Sequence, residues 1–418
     1  MKLRSVSFRP LPIKTVLRDM KDLALMMVDL AYSAVLFGEN DLAEEVRNLE
    51  ELVDYLGYHL TINAFLAVRD AKDAEETLVL QYVAIATNKI SDQAADIAYI
   101  VSRKLGVHKA IQDAFNNLVE ERVTRAIIQK QSIFTNKSLE KLDLTPRLGV
   151  DIIAIKRENK WFIDPQPNFV LKKGDVLIAR GGRSGTEVFR NLANNQIKSL
   201  EEAEKIVDML EAPESKGLTP SNKVVEFTAI EEYLRELKDT SELIIDLAFS
   251  SILFNSKPLA EEVMVLEEYM DELHTSFELY IISQDPVKNE DDTKKRLGLI
   301  RLGVAAENLA DAAAEMSEMI LRGLSPHPII AKILEETDET YKRVEIAEIS
   351  PLSDHTLRDL DLKNNLGVFV IAIRRGKEWI FKPRGATLLR PGDTLICKCF
   401  EESVELFEKV ASGEITEF

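Results

Sequence analysis

Three acids, Glu307, Asp311 and Glu315, stand four residues apart in the segment ENLADAAAE. On a helix that spacing sets all three carboxylates on one face. Hard oxygen donors so arranged suit a divalent cation or an iron cluster, above all where a second helix adds acids. Like charges at i and i+4 repel mildly, which favours a counter-ion. The alternative is a solvated acidic face on an acidic protein. The earlier segment NKISDQAAD, from Asn88, has the same spacing but opens on an amide, so Asp92 and Asp96 are its metal candidates. A second group is basic. Arg147, Lys156 and Arg157, with Lys363, Arg374 and Arg375, gather around two short β-branched runs. On an acidic chain such cations attract an anionic ligand, or they balance charge at strand ends. No serine, cysteine and histidine arrangement suggests a nucleophile, and the five histidines lack ligand-like spacing, so an enzyme is not expected.

The elements that position these residues occur twice. LEKLDLTPRLGVDIIAIKRENKW, from Leu139, returns without a gap as LRDLDLKNNLGVFVIAIRRGKEW, from Leu357, an offset of 218. Upstream, DLAYSAVLFGENDLAEEVRNLE from Asp29 returns from Asp246, an offset of 217. The acidic segments align at an offset of 219. Each half is therefore a helical part followed by a β-rich part. Residues 13 to 37, 41 to 69 and 74 to 104 carry apolar stripes at i, i+3, i+4 and i+7, which predicts an antiparallel three-helix bundle. GEND supplies the turn between the first two helices, and its Asp41 is the expected N-cap of the second. Residues 223 to 336 repeat the pattern.

In the β part, Val150–Ile155 and Val368–Ile373 read as strands, each followed by a polar turn and Trp161 or Trp379. A third strand follows KKGD or RPGD, at Val176–Ala179 and Thr394–Cys397. Short helices are expected at Ser138–Leu142 and Thr356–Leu360, and longer ones beginning near Ser184 and Glu402. The fold class is thus α+β. Helical bundles occupy 1–125 and 223–340, and small α+β domains occupy 126–195 and 341–418. Residues 196–222 hold a charged helix and a linker, LEAPESKGLTPSNK. The tryptophans read as core or interface residues, and GGRSG from Gly181 as a turn. Each small domain is near the lower size for independent folding, so a pair is expected within the chain or in a homodimer.

A net charge of −18 opposes nonspecific contact with nucleic acid or anionic lipid and tolerates metal ions or a basic partner. No stretch reads as a transmembrane helix or signal peptide, and Cys397 and Cys399, two apart on a strand, read as reduced residues. A cytoplasmic protein is expected.

The motifs SLEKLDLTPRLGVDIIAIKR…KKGDVLIA and TLRDLDLKNNLGVFVIAIRR…RPGDTLIC resemble the TrkA C-terminal, or RCK-C, domain. The acidic segments and the bundles around them resemble PhoU domains. The resemblance implies two PhoU-like bundles alternating with two RCK-C domains. It implies a cytoplasmic regulator of potassium or other cation transport, peripheral to a membrane transporter or channel. It also implies a small regulatory ligand, in some members cyclic di-AMP, bound at a domain-pair interface. A PhoU-like, metal-dependent regulator of phosphate uptake is the alternative. No G-x-G-x-x-G follows a strand, so NAD is not expected.

Overall fold

Amphipathic periodicity and capping residues give each half three long helices. The computed structural model describes residues 11–105, 107, 112, 122–158, 160–211, 229–284, 286–287, 289–326 and 339–415. Helices α1 (Ile13–Phe37), α2 (Asn40–Ala67) and α3 (Ala71–Ser102) form the first bundle. Helix α1 stops at Gly38, whose φ of +71° takes the chain into the left-handed region that glycine tolerates. Helix α2 opens at Asn40 with Glu39 as N-cap, so Asp41 lies inside the first turn and does not cap it. Asp70 caps α3 by accepting from the Asp73 amide. The N-terminal boundaries of α2 and α3 lie one and three residues before those expected.

The second half repeats the design. Its helices are designated α8 (Ala229–Leu253), α9 (Lys257–Ser283) and α10 (Glu290–Leu321), after α4–α7 of the first half's β-rich part. Ser256 and Asn289 cap α9 and α10.

Each β-rich part is a four-stranded antiparallel sheet. Strands β1 (Arg122–Ile127), β2 (Val150–Arg157), β3 (Lys160–Ile163) and β4 (Val176–Gly181) run in the order β1-β4-β2-β3. Strands β5 (Glu339–Glu345), β6 (Val368–Arg375), β7 (Glu378–Phe381) and β8 (Thr394–Phe400) run in the order β5-β8-β6-β7. A bulge falls at the same place in both, between Ile152 and Ala154 and between Val370 and Ala372. The edge strands β1 and β5 were not expected. RVTRAI and ETYKRVE carry cations among few apolar residues, so neither has a strong strand pattern. The sequence-based boundaries after 125 and 340 cut through these two strands.

Short helices α4 (Leu139–Leu142) and α5 (Leu144–Leu148) precede β2, and α6 (Arg183–Ala193) and α7 (Leu200–Glu211) follow β4. Helix α7 is charged on its outside but buries Leu200, Ala203 and Val207. The second copy has α11 (Leu357–Leu360), α12 (Leu362–Leu366) and α13 (Val404–Ser412), with a 3-10 turn at Glu401–Ser403. Gly181 and Gly185 explain that difference. A Cβ on Gly185 would stand 2.0 Å from the Leu148 carbonyl oxygen, and one on Gly181 would stand 2.3 Å from that of Gly149. The glycines let α6 press onto the end of α5. The second copy has Cys399 and Ser403 there, and its helix starts later. Of the linker LEAPESKGLTPSNK only Leu210 and Glu211 lie within the described residues.

One continuous apolar core runs through both bundles and takes in one face of each sheet, at Ala154, Ile178, Ala372 and Ile396. The other face of each sheet has its own core, centred on Phe134 and Phe189 in one copy and on Phe407 in the other. The halves meet helix to helix, α1 against α8 and α3 against α10. Among the described residues the two sheets share no strand pairing. Within this chain, then, the bundles make the pair and the small domains sit on them. Trp161 and Trp379 lie half-buried at these sheet-to-bundle seams, with Trp379 stacked on Phe381 at 5.8 Å. Cys397 and Cys399 are buried in β8 with free thiols, which burial pushes above their usual range.

Candidate functional site

The acidic segment of the second half runs along α10, and its three acids part ways. Asp311 meets Glu267 and Asp271 of α9, and one carboxylate oxygen from each lies within 4.8 Å of the others. Glu307 instead contacts the His274 imidazole, 2.9 Å from Nδ1. Glu315 pairs with Lys89 of the first bundle at 2.6 Å. Burial first, then the neighbouring Asp271 and Glu315 charges, raise the Asp311 pKa, and burial with Asp271 and Asp311 raises that of Glu267. A bound cation would relieve that repulsion, and an all-oxygen trio on two rigid helices suits a hard divalent metal. The donors fit such an ion, and Glu267, Asp271 and Asp311 are the residues that would hold it.

The first half carries the equivalent Glu50 and Asp54 on α2 and Asp92 on α3. Burial and the charges of Asp92, Asp54 and Asp96 raise the Glu50 pKa. Asp96 belongs to the same field one turn along α3. The contributions from α2 and α9 were missed, although one signal was available. Glu50 closes the repeated AEEVxxLE motif, and Glu267 stands at the same place in the second copy.

The departure at Asn88 has a structural counterpart. Where the second half pairs His274 with Glu307, the first has Gly57 and Asn88. A Cβ on Gly57 would stand 2.8 Å from the Asn88 side-chain oxygen, so amide and glycine fit together as imidazole and carboxylate do opposite.

The six basic residues do not meet in one pocket. Glu45, nearly fully buried on α2, receives Arg125 of β1 at 3.0 Å and Lys156 of β2 at 2.6 Å. Glu262 on α9, equally buried, receives Arg343 of β5 at 2.8 Å together with Arg374 of β6. In each half one buried carboxylate thus ties two strands of the sheet to its own bundle. Burial opposes the Glu45 charge, but the Lys156 ammonium, Asn48 and Arg125 outweigh it and hold the carboxyl below its ordinary range.

Arg157 donates to both oxygens of Asp175, each at 2.8 Å, and to the Val170 carbonyl at 2.7 Å. Arg375 repeats this with Asp393 and Leu388. The buried aspartate of each KKGD or RPGD turn is therefore the anchor for the arginine that ends β2 or β6. Arg147 pairs with Glu204 of α7 at 3.0 Å, half-exposed, and Lys363 lies 5.3 Å from the Phe369 ring centre.

A cavity of about 510 Å³ lies between the halves and is lined by α1, α8 and residues of both sheets. None of the six cations lines it.

Residues 123–194 and 342–411 match the TrkA-C domain, and residues 17–101 match the PhoU domain. The chain carries two TrkA-C domains and a PhoU domain. The second bundle repeats the first in sequence and in helix order, so the architecture is two PhoU-like bundles alternating with two TrkA-C domains. Over 92 residues the chain is 33% identical to a protein named probable potassium channel protein 2 of Methanocaldococcus jannaschii, covering 22% of this chain and 26% of that one. Over 123 residues it is 28% identical to the Ktr system potassium uptake protein C of Bacillus subtilis, covering 29% and 53%. The chain therefore spans about half or less of these relatives. The solved RCK C domain of the potassium transport protein KtrA, in complex with cyclic diadenosine monophosphate, is 29% identical, with 19% and 87% covered and a TM-score of 0.17. Among the described residues no helix is long and apolar enough to cross a membrane.

Proposed function

We propose that this protein is a cytoplasmic, non-catalytic regulator of potassium transport. In this reading its TrkA-C domains take up a small anionic ligand such as cyclic di-AMP, and its PhoU-like bundles pass the liganded state to a membrane transporter or channel. The observation that carries the reading is the fixed seam between module types. Glu45 and Glu262 each clamp two strands of a TrkA-C sheet to a bundle helix, so a change in either sheet moves the bundle with it. The potassium-transport names of both relatives support the process. A homodimer, joined through the TrkA-C domains, belongs to the same reading. The ligand approaches Arg147 or Lys363, because the other four cations are held by buried carboxylates.

The test combines potassium uptake in cells with and without the protein and calorimetric titration of the pure protein with cyclic di-AMP. Arg147→Ala or Lys363→Ala should weaken binding and leave the melting temperature nearly unchanged. Arg157→Ala should instead destabilise its domain. Unchanged potassium uptake together with no binding would sink the reading.

The acidic trio Glu267, Asp271 and Asp311 favours one second reading, a metal-dependent PhoU-like regulator of phosphate uptake. Phosphate uptake that responds to the protein while potassium uptake does not would select it.

A further inference from the structure

The cavity between the halves lies where the two copies face each other, and its lining breaks their symmetry. Seven carboxylates and two cations line it. Most of that charge is matched internally. Asp29 pairs with Arg180 at 2.5 Å and Lys238 at 3.4 Å, and Asp246 pairs with Lys21 at 3.0 Å. In the second half Lys382, at the end of β7, reaches Asp239 at 2.9 Å and Glu242 at 3.0 Å. Its ammonium closes the α8 side of the cavity.

The first half has the same helix carboxylate, Asp22, at the position of Asp239. Where Lys382 stands, however, it has Asp164. The two residues share a left-handed backbone, with φ of +44° at Asp164 and +46° at Lys382, so they leave equivalent loops in the same direction. Among the described residues no ion pair joins Asp22 or Asp164 to a cation within 4.0 Å. Burial, Asp19 and Asp164 together push the Asp22 pKa up to about 6, against the pull of Lys21. One half thus fills with its own alkylammonium a position that the other half lines with two carboxylates. The wall beside it is apolar, with Leu25, Met26, Ile153 and Ile163 on the first half and Phe381 opposite.

We propose that this cavity binds an aliphatic ammonium of the diamine or polyamine class, with one ammonium between Asp22 and Asp164 and the alkyl chain along the apolar wall. The Lys382 ammonium and its butyl stem are the template for that chemistry. An ammonium on a carbon chain matches both parts of the lining, whereas an inorganic cation matches only the carboxylates. A ligand there touches both halves at once and stabilises their contact. The inference does not depend on the potassium-transport reading.

The test is calorimetric titration of the full chain with spermidine and with 1,4-diaminobutane at fixed ionic strength, with potassium and magnesium chloride as controls. Saturable binding is expected in the native protein, and Asp22→Asn should weaken it roughly 10- to 100-fold, the loss of one charge-assisted contact. Asp164→Lys installs the residue of the second half at an exposed position. It should abolish binding and raise the melting temperature. Asp311→Ala, in the separate acidic trio, should leave it unchanged. Absence of saturable binding, binding undiminished in Asp164→Lys, or equal displacement by potassium chloride would each overturn the proposal.

Discussion

Glu45 shows how much one side chain decides here. It is buried on α2 yet meets cations from two strands, so removing it leaves Arg125 to Asp41 at 3.7 Å and takes the carboxylate from Lys156. Breaking a buried pair from one side costs about 3 kcal/mol. Glu45→Gln should therefore lower stability by about that much, read by denaturant unfolding. The effect depends on pH in a defined sense. The carboxyl titrates below its unfolded value, so its contribution is complete above the ordinary carboxylate range of about 4.3 and fades as pH falls through its own lower pKa. The gap between native and Glu45→Gln melting temperatures should shrink from neutral pH to pH 3. A constant gap would mean that the side chain acts by shape alone. Asp22 runs the opposite way. Its raised pKa makes its charge a penalty above about pH 6, one that protonation relieves on acidification.

At the scale of helices and strands, most of the architecture was legible because it is written twice. The three helices of the first bundle followed from periodicity to within three residues at each end, and β2 and β6 from their β-branched runs. The edge strands β1 and β5 were not legible, because their cations serve a carboxylate on another element. The candidate metal trio was half legible for the same reason. Spacing along α10 placed Glu307, Asp311 and Glu315 on one face, but partners across the bundle divided them among a histidine, an acidic trio and a lysine. Only Asp311 remains where α9 adds two more acids. Metal analysis after dialysis with manganese or iron salts should find stoichiometric metal that falls in Asp311→Ala and stays in Glu315→Ala. Equal retention in both variants would remove the trio from consideration.

Across the whole molecule, the duplication makes within one chain what a twofold dimer makes from two. The evidence is reciprocal: Lys21 of α1 pairs with Asp246 of α8, and Lys238 of α8 pairs with Asp29 of α1. Each pair is the other with the halves exchanged, as an isologous interface requires. Tyr32 adds a contact that does not repeat, bonding Ser241 at 3.0 Å, because the second copy has Phe249 in its place. These links lie inside a core that crosses from one bundle to the other without interruption, so the bundles have no weak plane along which to separate. Calorimetry should then show one cooperative transition for both bundles. Lys238→Ala leaves Asp29 to Arg180, and it should lower that transition as a whole, by at most about 3 kcal/mol, without splitting it. The outer cores of the TrkA-C sheets are separate from this one, and Glu45 and Glu262 are among the side chains that fasten the sheets to it. Glu45→Gln should split off a smaller, earlier transition where Lys238→Ala does not. If both variants split the melt, the bundles fold independently and the twofold seam is only a contact. If neither does, the clamps add stability without separating the modules, and a signal in one TrkA-C domain would reach both bundles alike.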